Sequence, residues 1–151
     1  MAIIELHLEN PYDVSFQRFL NSYHPDLLDH PELIVEIELA KGHEVLSGLI
    51  ELACQCSHIR NIQLGRVGIW ALPTKWVLEH IEEVAEPILQ ENDEWEYRRL
   101  LEVYWHIDKL LTRKFALRCL EHHDFEIQEL GQECLEKLNE LFRNRTIEYW
   151  E

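Results

Sequence analysis

From residue 43 onward, apolar side chains recur at the three- and four-residue spacing of one helix face, and only a few residues separate successive periodic segments. Short connections oblige consecutive helices to run antiparallel as neighbours, which narrows the available folds more than any other feature of the chain. The spacing predicts helices over 43–57, 61–71, 74–90, 94–108, 111–122 and 125–142. Pro73 ends one of them and Thr74 offers an N-cap for the next. Asp93 and Asp124 are placed to cap two more, each with a carboxylate for an otherwise orphan amide. The expected fold class is all-α, built of stacked antiparallel helix pairs. With 46% hydrophobic residues, 151 positions suffice for one core. The five Gly, five Pro and lack of a low-complexity linker give no reason to divide 1–151.

The first forty-two residues are less regular. "IIELHLE" (3–9) alternates Ile4, Leu6 and Leu8 with Glu5, His7 and Glu9, which suits a short strand or a helical turn. Residues 12–23 read as a helix with Asp13 as a candidate N-cap and Phe16, Phe19 and Leu20 inward. Residues 30–42 favour helix, with Pro31 at the first position and Gly42 as the stop, although the β-branched Ile34, Val35 and Ile37 also suit an edge strand.

Helix–turn–helix patterns succeed one another at 45–72, 80–107 and 110–138. Asp93 and Asp124 stand 31 residues apart at corresponding turns, and Asn61 takes that place in the first copy. In these features residues 43–142 resemble HEAT and armadillo-type helical repeats, with Arg98 where the pattern carries an Arg after the turn Asp and Gln128 in its place in the last copy. The resemblance implies a right-handed superhelix in which the second helix of each pair lines a concave surface.

Within 94–108, Tyr97, Leu100, Leu101, Val103, Tyr104 and Ile107 share one side at 100° per residue. Trp95, Arg98, Arg99, Glu102, Trp105 and His106 share the other, where a solvated helix ordinarily carries Glu, Lys and Gln. Trp and Arg dominate binding hot spots through contact area, donors and stacking geometry, so this face is the first candidate for a partner surface. A local Arg–Trp stack, or a pair of Glu102 with Arg98 or Arg99, with the tryptophans covered by the N-terminal segment, would also account for it. In 125–142, Ile127, Leu130, Cys134, Leu138 and Leu141 face inward, while Glu126, Glu129, Glu133, Glu136 and Glu140 form an acidic strip broken by Lys137. Like charges three or four apart oppose the helix by a few tenths of a kcal/mol each, and a basic ligand would relieve them, although most such strips are simply solvated faces. In 74–90, Trp76, His80 and Glu83 share the polar face, and Trp76 would serve either as a second aromatic anchor or as a staple onto a neighbouring helix. Helix 61–71 is apolar nearly all round, with Gly65 and Gly68 permitting close approach, and is expected at the centre of the molecule.

Fourteen basic residues against twenty-nine acidic ones give a formal charge of −15. That argues against nucleic acid and against anionic membrane surfaces as partners, and it favours encounter with a basic macromolecule. The opening "MAIIELHLEN" lacks the basic and apolar regions of a secretory leader, so a cytoplasmic setting with reduced thiols is expected for Cys54, Cys56, Cys119 and Cys134.

Arrangements able to do chemistry are incomplete. "HHD" (122–124) is similar to the His–Asp pair of HD-type metal phosphohydrolases, yet that family also carries a downstream Asp and none follows Asp124. Cys54 and Cys56 in a helix point about 200° apart, a poor pair for one metal even with His58, Cys119 and His122 nearby in the chain. No phosphate-binding glycine loop or nucleophile elbow is present. No cofactor or catalytic residue is therefore expected. The anticipated function is a non-enzymatic protein–protein interaction, an immunity or inhibitor protein that masks a basic effector such as a nuclease toxin. An adaptor holding a peptide or helix in a groove is the alternative, a homo-oligomer pairing its Trp/Arg faces a third class, and a metal-dependent hydrolase the least favoured.

Overall fold

The computed structural model describes residues 4–89 and 93–150, which are helical and packed as adjacent helix pairs, with no strand among the described residues. The chain divides into two compact units, Met1–Glu91 and Asn92–Glu151. The first contains α1 (Pro11–Asn21), a short 3-10 helix (Pro31–Glu36), α2 (Leu39–Gln55), α3 (Ile59–Ala71) and α4 (Thr74–Leu89). The second contains α5 (Glu94–Ile107), α6 (Lys109–Leu120) and α7 (Phe125–Trp150). The boundary falls inside the middle copy of the suspected repeat, leaving α4 in one unit and α5 in the other.

Turn aspartates begin the helices of the second unit. Asp93 Oδ1 accepts from the Trp95 amide at 2.9 Å, and Asp124 Oδ1 from the Glu126 amide at 2.8 Å, as the sequence led one to expect. Asp108 does double service: its backbone N–H donates to the Tyr104 carbonyl at the end of α5, and its Oδ2 accepts from the Leu111 amide at the start of α6. One residue thus joins the two helices.

The N-terminal expectations need three corrections. Residues 4–7 take no regular structure, because what holds them is side-chain bonding and not a neighbouring strand. The cap of α1 is Asn10, which accepts from the Tyr12 amide, so Asp13 lies in the first turn. Fully buried, Asp13 takes a bidentate bond from Arg60 of α3 at 2.6 and 2.7 Å and a third bond from the His7 amide at 2.8 Å. The third correction concerns 30–42. The 3-10 helix ends at Glu36, Ile37 is extended, and Gly42 lies within α2, where a Cβ would stand 3.0 Å from the Trp76 ring. Its lack of a side chain serves packing and does not stop a helix.

Glycine also sets the closest helix crossings. A Cβ on Gly65 of α3 would lie 2.5 Å from the Ala53 amide nitrogen and 2.7 Å from the Leu49 carbonyl oxygen of α2. On Gly131 of α7 it would lie 2.6 Å from the Ala116 carbonyl oxygen of α6. Around these crossings the expected apolar stripes are buried: Val45, Leu46, Leu49 and Ile50 with Ile62, Leu64 and Ile69, and in the second unit Ile127, Leu130, Cys134 and Leu138. Tyr97 and Tyr104 pack on Phe115, ring centroids 5.5 and 5.3 Å away, fastening α5 to α6.

Gly65→Ala and Gly131→Ala should each lower stability by about 1–3 kcal/mol, since the obstructing atoms are backbone and cannot turn aside. Thermal melts followed by circular dichroism would measure this. Arg60 holds the Asp13 carboxyl at about 2, below its ordinary 3.8. A carboxyl depressed by folding stabilises the fold above its unfolded pKa and loses that contribution as the pH falls through its folded one. Stability on the order of 2 kcal/mol should therefore disappear between about pH 4 and about pH 2, and Asp13→Asn should flatten that slope while destabilising the protein at neutral pH.

Candidate functional site

Helix α5 divides as its periodicity foretold. Tyr97, Leu100, Leu101, Val103 and Tyr104 are buried, Ile107 is half-buried, and Glu102 and His106 are exposed. Trp95 is 57% exposed, and the Arg98 and Arg99 guanidinium carbons lie 5.5 and 5.7 Å from its ring centroid. Arg98 Nη2 also donates to Glu94 Oε1 at 2.9 Å, one turn back. The local Arg–Trp stack is therefore real, and it holds the guanidinium groups without removing the indole from solvent. Trp105 is half-buried, with the Lys109 ammonium 4.2 Å from its ring centroid and bonded to its backbone carbonyl. Cation–aromatic contacts at exposed sites contribute about 0.5–1 kcal/mol, enough to pre-set side chains that would otherwise lose freedom on binding.

Between α5 and α7 runs a groove of about 370 Å³. Leu101, Leu130 and Cys134 form its floor. Arg98, Glu102, Trp105 and His106 make one wall, and Glu133 and Lys137 the other. The structure thus brings together four of the six α5 residues singled out in the sequence with one glutamate of the acidic strip. Glu126 and Glu129 are exposed on α7 and lie off the groove. The floor escaped the sequence reading because Leu101, Leu130 and Cys134 sit at the margin of the apolar stripes and look like ordinary core. Arg98 Nε is shielded from solvent and has no hydrogen-bond partner among the described residues.

Trp76 and His80 do not belong to this surface. Trp76, 8% exposed, covers Gly42 of α2, and the His80 ring lies 4.8 Å from it and 3.1 Å, Nδ1 to Nε2, from His43. Both side chains pack α4 onto α2 in the first unit, and the staple reading of Trp76 replaces the anchor reading. Burial against Gly42 was invisible to helical periodicity because the glycine presents no apolar side chain to pair with.

His122 and His58 hold turns, and Cys119 and Cys134 are buried. His122 Nδ1 accepts from the Asp124 amide in the α6–α7 turn, and its ring packs edge-on to Tyr97. His58 Nδ1 accepts from the Arg60 amide at the start of α3, and its ring stacks on Tyr12. Burial pushes the Cys119 thiol up to about 12, aided by neighbouring Cys134, and burial raises Cys134 as well. Among the described residues no three His, Cys, Asp or Glu side chains are grouped to hold a metal ion. No helix among them is long and apolar enough to cross a membrane.

The two faces of α5 should separate in mutagenesis. Leu100→Ala opens a core cavity and should destabilise by about 2–5 kcal/mol. Trp95→Ala combined with Arg99→Ala should cost no more than about 1 kcal/mol, both changes being measured by urea denaturation. Comparison of the chain with protein-family models, with curated proteins and with solved structures gave no match.

Proposed function

We propose that the protein is a non-enzymatic binding module whose α5–α7 groove receives a basic protein, in the manner of an immunity protein or inhibitor that masks a cationic effector such as a nuclease. The observation that carries this reading is the convergence of Arg98, Glu102, Trp105, His106 and Glu133 around an apolar floor beside an exposed Trp95. An apolar floor with polar walls is the arrangement in which one anchoring side chain can be desolvated and oriented. The unpartnered Arg98 Nε supplies a donor for a carbonyl or carboxylate of the incoming segment. Glu126, Glu129, Glu136 and Glu140 are exposed along α7, and the chain's charge of −15 favours encounter with a cation-rich surface.

An adaptor that holds a helix or peptide in the same groove is the second reading, favoured by Leu101, Leu130 and Cys134 on the floor. Salt separates the two. Binding steered by the carboxylates weakens steeply as ionic strength rises, whereas a predominantly apolar contact hardly changes.

Affinity capture from the native host, with wild type and Trp95→Ala/Arg98→Ala compared side by side, tests the proposal. Wild type should retain one basic protein in stoichiometric amount. The variant should bind the purified partner about 2–4 kcal/mol more weakly while keeping its circular dichroism spectrum. Recovery of acidic proteins alone, or equal retention by both forms, would remove the groove from consideration.

A further inference from the structure

Helix α6 carries a second surface of opposite chemistry. It buries Leu111, Thr112, Phe115, Ala116 and Cys119 and turns another stripe outward. Leu110, Arg113, Lys114, Leu117 and Arg118 stand at i, i+3, i+4, i+7 and i+8, the spacing by which one helix meets another. With Glu121 at the end of α6 they border a shallow groove of about 400 Å³. Leu110 is 74% and Leu117 46% exposed. Isolated surface leucines are ordinary, but these two lie on one line with three cations between and beside them. Nine of the fourteen Lys and Arg residues fall between 92 and 151, so the positive charge of an acidic chain is concentrated in this unit.

The complementary surface is present on the same molecule. Glu126, Glu129, Glu136 and Glu140 are exposed along α7, and Phe125 at its start is 69% exposed. Like charges three or four residues apart, Glu126 with Glu129 and Glu136 with Glu140, oppose α7 taken alone. Setting the basic stripe of α6 against them relieves the carboxylates and removes Leu110 and Leu117 from water. We propose that two copies of the chain associate in this way, α6 of each copy lying on α7 of the other about a two-fold axis. Repulsion between two chains of charge −15 is screened beyond about 8 Å at physiological ionic strength, so the adjoining stripes govern the contact. The pairing covers glutamates that also favour a basic partner, and such a partner therefore competes with the second copy. The pairing does not involve Trp95 or the groove floor, so the association of the chain alone tests it apart from the groove's ligand.

Sedimentation equilibrium of the full chain with paired charge reversals tests this. Wild type should associate reversibly with rising concentration. Arg113→Glu/Arg118→Glu and, separately, Glu129→Arg/Glu136→Arg should each weaken association about tenfold or more, since each sets like charge against like. Mixed in equal amounts, the two variants should recover wild-type association, because their altered stripes are complementary. That recovery also shows that both variants are folded. A wild type that stays monomeric at all concentrations overturns the proposal. So do reversals that leave association unchanged, and a mixture that remains monomeric while both variants keep wild-type circular dichroism spectra.

Discussion

The place where α7 touches the backbone of α6 determines what the second unit can present to a partner. Gly131 stands where any side chain would strike the Ala116 carbonyl, which fixes the rotation of α7 as well as its distance. Residues on a helix are about 100° apart, so pointing Gly131 at α6 leaves Leu130 and Cys134 on the flank that α5 shares. Glu133 and Lys137 then form the rim above them. On the other side, Tyr97 and Tyr104 bear on Phe115 and settle the rotation of α5, which leaves Arg98, Glu102, Trp105 and His106 facing the same furrow. Two packing contacts on the buried side thus compose a surface that neither helix specifies alone.

The parts of this arrangement legible in the sequence were those governed by neighbours within one helix. The faces of α5 and α7 follow from 3.6-residue periodicity, and Asp93 and Asp124 declare their caps because their side chains reach amides only two residues away. What escaped depended on residues far apart in the chain. Asp13 looked like a cap until Arg60, 47 positions later, supplied a bidentate partner. Gly42 looked like a stop until Trp76 needed the space above it. Ile4, Leu6 and Leu8 alternate as a strand would, but among the described residues there is no strand beside which they could pair. The site shows the same division. Its walls were evident as unusual residues on a polar face, whereas its floor became visible only once α7 was set beside α5.

Charge follows a similar logic. A total of −15 suggests a uniformly acidic molecule, yet the second unit carries nine of the fourteen Lys and Arg residues, with Arg98 of α5 and Glu133 of α7 lining one groove and Arg113, Lys114 and Arg118 of α6 another. Stacking Arg98 and Arg99 on Trp95, and Lys109 on Trp105, keeps these three cations in defined positions. The resulting surface is patterned residue by residue, and contacts shorter than the screening length of about 8 Å decide which partner fits.

The single-residue corner at Asp108 bears on how such a surface can change. Its amide closes α5, its carboxylate opens α6, and its carbonyl accepts from the Thr112 hydroxyl at 2.7 Å, so no slack remains between the two helices. An added residue there would turn one helix by roughly a quarter of a revolution relative to the other and scatter both stripes. The binding faces can therefore diversify by exchanging side chains on a frame of fixed pitch.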